Sequence, residues 1–180
     1  GCNLWSGFEK DRKNAICNFC DTDFLGTNGT LGGKYSLNKL TYLLVSLWPS
    51  KKRNKFIVFT GGEPLLQLDK SLICALKKKN FKIAIETNGT IIPPKGLDWI
   101  CASPKANSKF LLKKGNEIKI VFPQKGMNIK KYEKLNFDHF YIQPKYDKSL
   151  HKNNKKAIDF VLNNPKWKLS LQSHKYIGVK

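Results

Sequence analysis

The sequence predicts an α/β fold built on a parallel sheet. Three observations carry this expectation. Short apolar runs alternate along the chain with helix-period stretches or with loops, and several of these runs are apolar throughout, as strands covered on both faces are. Polar and glycine-rich residues gather where the runs end: Thr60-Gly61-Gly62-Glu63-Pro64, Glu86-Thr87-Asn88-Gly89, Ser103-Pro104-Lys105 and Gln143-Pro144. In parallel barrels and open α/β sheets, ligands bind at the carboxyl ends of the strands, so the pattern predicts one site fed by many strand ends. The length of 180 residues, 41% of them hydrophobic, suits a single domain over residues 1–180 with a real core.

The elements follow in order. After the cysteines at the start comes a glycine-rich loop, residues 26–33. Residues 36–48 set Leu37, Leu40, Leu43, Leu44 and Leu47 at helical spacing, with Ser36 placed to cap the helix and Pro49 to end it. Residues 55–60 form a short apolar strand that runs into the glycine pair. Residues 68–80 read as a helix whose last turns carry lysines, which complement the helix dipole. Strands are expected at 81–86, 97–103, 116–122 and 138–143, a helix at 155–164 and a last strand at 168–173. The chain has no internal repeat, linker or low-complexity tail.

The formal net charge of +20 invites a nucleic-acid reading. The residue types argue against it. Of 33 basic residues only Arg12 and Arg53 are arginine, the side chain whose planar fork suits phosphate and guanine. The lysines are spread along the chain, with short clusters at 51–53, 77–79 and 113–114. Together with the many asparagines and isoleucines, this is the drift of an AT-rich genome on solvated faces. No nucleic acid is required. No apolar run is long enough to span a bilayer, and no signal-peptide pattern precedes Cys2. A reducing, cytoplasmic setting is expected, with the five cysteines free or metal-bound.

Cys2, Cys17 and Cys20 stand in a C-x14-C-x2-C spacing. A structural zinc site wants four ligands. Here the fourth would have to be His139, His151, His174, Cys74 or Cys101. The two cysteines sit at apolar helix or strand positions and read as small core residues, and no histidine lies near the loop in sequence. Three thiolates can instead hold a 4Fe–4S cube by three of its irons and leave the fourth open. On spacing alone, a cluster, a zinc ion and idle thiols all remain open. Phe19, between the two close cysteines, can pack on a bound adenine. The Gly61-Gly62 pair with Glu63 offers free backbone groups and a carboxylate to an amino-acid-like ligand, although such a pair alone is an ordinary tight turn.

The C-x2-C with an aromatic between its cysteines, followed by a strand-end GGEP, resembles the radical SAM superfamily. The superfamily's usual first gap is three residues, where this chain has fourteen. That gap, with "GCNLWSG", "CNFCDTDF", "TGGEPLLQ", "IETNGT", "SPK", "QP" and "LSLQSHK" in order along nearly the whole chain, is similar to the 7-carboxy-7-deazaguanine synthase family of the 7-deazapurine (queuosine) pathway. The resemblance implies an incomplete TIM-like barrel of the radical SAM type, with the first strand missing from this chain.

It further implies a carbon–nitrogen lyase that contracts the ring of 6-carboxy-5,6,7,8-tetrahydropterin to 7-carboxy-7-deazaguanine with loss of ammonia. Cys2, Cys17 and Cys20 would hold the cluster. S-adenosylmethionine would chelate the open iron and be cleaved to a 5′-deoxyadenosyl radical, with Phe19, Cys20, Asp21, Gly62, Glu86, Ser103, Pro104, Lys105, Gln143 and Pro144 around it. Mg²⁺ would join the substrate carboxylate to Thr22, with Asp21 or Asp23 assisting by hydrogen bonds. Without the cysteines, residues 21–23 would read as a polar loop with an Asx-turn. Thr60, Glu63, His174 and Lys175 would lie at the substrate. The implied partners are a flavodoxin- or ferredoxin-type electron donor and a second copy of the chain.

The family carries a segment before the first cysteine, with a barrel strand and substrate contacts, that this sequence does not show. Weak turnover of the 180-residue chain is expected, and an added upstream segment should restore it. Lys145 and Tyr146 also depart from the family pattern, and the "GVK" ending lacks a proline that some relatives carry. Two rivals stand beside this reading: another short radical SAM enzyme of the activating type, and a basic zinc-binding module for RNA.

Overall fold

The first two α-helices start where a side chain satisfies one of their free N–H groups. The computed structural model describes residues 1–49 and 53–179. The helix expected at 36–48 forms over Leu37–Ser46 (α1), with the Ser36 hydroxyl accepting from the Lys39 N–H at 3.4 Å. The next spans Lys70–Lys78 (α2), capped by the Asp69 carboxylate on the Leu72 N–H at 2.8 Å, with Lys77 and Lys78 in its last turn. Strands run over Phe56–Phe59 (β1), Lys82–Thr87 (β2), Trp99–Ala102 (β3), Lys114–Phe122 (β4) and Asn136–Pro144 (β5). A helix at Leu150–Asn163 (α3), a two-residue strand at Lys168–Leu169 (β6) and a short helix at Ser173–Ile177 (α4) follow. Apart from Arg53, the basic cluster at 51–53 lies outside the described residues, as does Lys180.

The strands take the order β1-β2-β3-β4-β5-β6 in one open sheet. The pairs β1–β2, β3–β4, β4–β5 and β5–β6 are parallel, as the apolar strand pattern requires. Among the described residues no helix is long and apolar enough to cross a membrane.

The chain divides into two compact units, Gly1–Thr87 with Ile91–Ile100, and Asn88–Thr90 with Cys101–Lys180. In the first, Ile83 and Ile85 of β2 pack with Leu72, Ile73 and Leu76 of α2, and α1 lays Leu40, Leu44 and Val45 on the same core. Its edge strand β1 packs Ile57 and Phe59 inward, but Phe56 and Val58 on the other face stay exposed. The expectation of a sheet covered on both faces therefore does not hold for this strand. In the second unit, Ile118, Ile120 and Ile142 are wholly buried. Trp167 packs edge-on to Phe140 at 5.3 Å and donates its indole N–H to Glu133 at 2.7 Å.

Three further expectations need correction. The helix read at 155–164 begins at Leu150, because Asn153, which breaks the apolar pattern, is buried and bonded to the preceding loop. The strand read at 168–173 stops at Leu169. Ser170 N–H bonds the Ile142 carbonyl at 2.9 Å, and the next β5 donor would be Pro144, which has no N–H. Residues 173–177 are therefore free to coil into α4, so His174 and Lys175 stand on a helix and not at a strand end. Finally, Cys74 is exposed and is no core residue: Leu72, Ile73 and Leu76 take the inner face of α2, and position 74 turns to solvent. Cys101 is buried as expected and donates to Glu117 at 3.1 Å.

Candidate functional site

The cysteine loop belongs to the first unit and is built on two buried residues, Leu4 and Trp5. The Cys17 N–H bonds the Leu4 carbonyl at 3.2 Å, which closes the long gap between the first and second cysteines into a compact loop. Within it Glu9–Asn14 form a 3-10 turn that the apolar pattern did not signal. Trp5 packs edge-on to Phe24 at 5.5 Å and donates to the Phe8 carbonyl at 3.2 Å. Beside Cys2 opens a recess of about 350 Å³, lined in part by Asn3, Ser6, Asp11 and Asn14.

The three thiols differ in setting. Cys17 is buried, while Cys2 and Cys20 are half-buried, and none is in a disulfide. The Leu4 N–H points at Cys2 Sγ, 3.5 Å away. Cys20 is held as a thiolate: a hydrogen bond from Cys17, then the backbone N–H and hydroxyl of Thr22, bring its pKa from 9.0 down to about 6, against burial and the charge of Asp21. Phe19 is half-buried between these cysteines, and Asp21 and Thr22 are exposed. Asp23 accepts from the Leu25 N–H at 3.2 Å in the expected Asx-turn.

The turn after β1 meets the first cysteine through backbone alone. Glu63 N–H donates to the Gly1 carbonyl at 2.8 Å. A Cβ on Gly62 would lie 2.2 Å from that carbonyl oxygen and 3.2 Å from Cys2 Cβ, so only glycine fits. Glu63, expected at the substrate, is 1% exposed; its Oε1 accepts from the Leu65 N–H at 3.1 Å and from the Thr87 hydroxyl at 2.8 Å. It braces the turn against the end of β2. Thr60 is exposed, and Glu86 is half-buried on β2.

The remaining expected residues belong to the second unit. Lys105 Nζ donates to the Ser103 carbonyl at 2.6 Å and to its hydroxyl at 2.8 Å, and Pro104 between them is buried. Gln124, which the sequence did not single out, straps this loop to the end of β4 by accepting from Ala106 N–H at 3.0 Å and donating to the Val121 carbonyl at 2.7 Å. Gln143 is half-buried and Pro144 buried at the end of β5. Asn153 holds the loop beyond them, donating to the Lys145 carbonyl at 2.9 Å and to Asp147 at 3.0 Å. His174 is exposed, and the Lys175 ammonium sits 4.0 Å from the centre of the Tyr146 ring.

No family model matches the chain. Among curated proteins it is 49% identical to the 7-carboxy-7-deazaguanine synthase of Bradyrhizobium diazoefficiens, over 100% of this chain and 86% of that protein. It is 48% identical to that of Burkholderia multivorans, over 99% of this chain and 86% of that protein. The chain belongs to the 7-carboxy-7-deazaguanine synthase family. Membership makes it a radical SAM ring-contracting lyase of queuosine biosynthesis, acting on a small molecule, with an iron–sulfur cluster and S-adenosylmethionine as cofactors. The crystal structure of QueE from Escherichia coli superposes with a TM-score of 0.55 at 23% identity, over 77% of this chain and 64% of that one. That likeness fixes the fold: the open sheet is an incomplete TIM-like barrel. Both rivals of the sequence reading, the activating enzyme and the zinc module, fall away.

The donor set suits the synthase's cluster. Thiolates are the ligands such clusters take, and the bonds from Cys17 and Thr22 favour the thiolate of Cys20. Among the described residues no three His, Cys, Asp or Glu side chains converge as a single ion would need. A cube binds each thiolate at a different iron and does not ask for that convergence.

Proposed function

We propose that the chain converts 6-carboxy-5,6,7,8-tetrahydropterin to 7-carboxy-7-deazaguanine with loss of ammonia, using Cys2, Cys17 and Cys20 as the three ligands of a 4Fe–4S cluster. The single observation that carries the residue assignment is the loop closed onto Leu4, whose carbonyl takes the Cys17 N–H at 3.2 Å and so brings the Cys2 segment against the C-x2-C turn. When bound and reduced, the cluster supplies the electron that cleaves S-adenosylmethionine. The chain's own residues hold and shield the reactants. The Leu4 N–H supports the Cys2 sulfur, and the Gly62 turn keeps the first cysteine's backbone in place. Phe19, Cys20, Asp21, Gly62 and Glu86 from the first unit bind S-adenosylmethionine. Ser103, Pro104, Lys105, Gln143 and Pro144 of the second unit are assigned to it on the family's motifs alone.

Thr22 is the Mg²⁺ ligand in this reading. Its hydroxyl spends its one proton on Cys20 and keeps its lone pairs for a cation and, through it, a substrate carboxylate. Thr60, Glu63, His174 and Lys175 are assigned to the substrate; Glu63 acts there through the turn it braces. A flavodoxin- or ferredoxin-type donor, a homodimer and a cytoplasmic location complete the proposal, with no membrane or nucleic acid required.

The test is anaerobic reconstitution with iron and sulfide, followed by EPR of the reduced protein with and without S-adenosylmethionine and by mass detection of the product. A 4Fe–4S signal that changes on adding the cofactor is expected. Bound zinc without acid-labile sulfide, or a signal indifferent to the cofactor, refutes the assignment.

A further inference from the structure

Arg12 is one of two arginines among 33 basic residues, and the reaction as described gives it no task. Its surroundings are unusually complete. Nε and Nη2 donate to the two oxygens of Glu9, at 2.7 and 2.5 Å. Nη1 donates to the carbonyls of Cys20 at 2.9 Å and Asn18 at 3.3 Å. The guanidinium carbon lies over the Trp5 ring, 3.9 Å from its centre. Trp5 is buried, so the stack anchors the arginine to the base of the loop.

These contacts join the two parts of the cysteine motif that the long insert separates. Glu9 and Trp5 belong to the insert, while Asn18 and Cys20 carry the C-x2-C turn. A lysine could not replace the fork, because one ammonium cannot serve a carboxylate and two carbonyls in these directions. The fork also sets a permanent cation near Cys17 and Cys20, both of which attract it electrostatically. Glu9, bonded to both ends of the fork, offsets part of that charge, but its side chain is 75% exposed to solvent, while Nη1 is turned to the Cys20 and Asn18 carbonyls.

We propose that Arg12 is a positioning residue for the cluster: it locks the insert onto the C-x2-C turn and holds a fixed cation beside two of the three thiolates. The proposal rests on the cluster reading above. It has two consequences. Locking the turn keeps two ligands in register, so the bound cluster resists loss. Reduction adds an electron to an already anionic group, and a fixed cation favours that state, so Arg12 raises the reduction potential.

The experiment compares the full chain with its Arg12→Met and Arg12→Lys variants after anaerobic reconstitution. Circular dichroism first establishes that each variant folds. The readouts are the rate of iron loss to a ferrous chelator and the midpoint potential from an EPR-monitored redox titration. For Arg12→Met, iron loss at least about tenfold faster is expected, with the one-electron reduction equilibrium shifted about tenfold toward the oxidised form, or about 59 mV. The potential is the deciding readout, because loosening the loop alone would not move it in this direction. A wild-type potential in Arg12→Met overturns the proposal whatever the rate of iron loss. If Arg12→Met takes up no cluster, Arg12→Lys decides: iron loss about fivefold faster than wild type supports the proposal, and a wild-type rate overturns it. A wild-type chain that builds no cluster refutes the cluster reading itself, and this proposal with it, before any variant is compared.

Discussion

Replacing Gly62 by alanine puts the tightest contact of the cysteine site to the test. The added Cβ would stand 2.2 Å from the Gly1 carbonyl oxygen and 2.7 Å from its carbon. To reach even the 3.0 Å below which real Cβ atoms essentially never sit, the carbonyl must retreat by about 0.8 Å. It cannot do so and keep its 2.8 Å bond from the Glu63 N–H. Losing that bond costs about 1 kcal/mol, and overpacking against backbone adds about 1–3 kcal/mol. The first unit should therefore lose roughly 2–4 kcal/mol in urea unfolding. Cys2 follows Gly1 directly in the chain, so its sulfur should leave its place, and iron bound after reconstitution should fall. Gly61→Ala is the control. Its φ of +118° disfavours alanine, yet its Cβ would meet nothing within 4 Å. It should cost stability without displacing Cys2, and so keep its iron. A Gly62→Ala chain within about 0.5 kcal/mol of wild type and with full iron would refute this account of the turn.

Two other predictions rest on the structure. Cys20 has its pKa lowered from 9.0 to about 6, so its thiolate contributes stability that is fully present above 9.0 and is lost as pH falls through about 6. In the metal-free chain, alkylation of Cys20 by iodoacetamide should reach half its plateau rate near pH 6. Thr22→Val, which removes only the hydroxyl donor, should move that midpoint upward, and an unperturbed midpoint near 9.0 in the wild type would contradict the assigned bonds. In the second unit, Asn153→Ala removes two part-buried hydrogen bonds, one to a carboxylate, and should cost about 1–3 kcal/mol by thermal unfolding; a loss below about 0.5 kcal/mol would mean that the loop after β5 is held by other contacts.

Much of the molecule was legible in the sequence because the signals are local. Ser36 stands before a helical period and caps it as its chemistry requires, while Asp69, read inside the next helix, is the cap of that helix. The runs around Ile83, Ile118 and Ile142 are apolar enough to demand burial, and all three are fully buried in parallel strands. The C-x2-C and the strand-end GGEP pointed to the superfamily, the long cysteine gap and the motifs along the chain pointed to the family, and its close relatives bear this out. Arg12 left a trace too, as a rare arginine in a lysine-rich chain. The 3-10 turn that carries it lacks an apolar period and left none.

The sequence by itself determined most of the helices and strands and the polar residues that gather where the strands end, since periodicity, capping and spacing are properties of neighbours along the chain. Tertiary structure decided the rest. Gly62 must be glycine because a backbone sixty residues away passes against it, as the 2.2 Å approach records. Glu63 turns inward because Thr87 and the turn's own N–H groups are there to receive it. The last strand yields to α4 because its neighbour presents Pro144 where a donor was needed. In each case the deciding atom belongs to a distant segment, and only the folded chain brings it within reach.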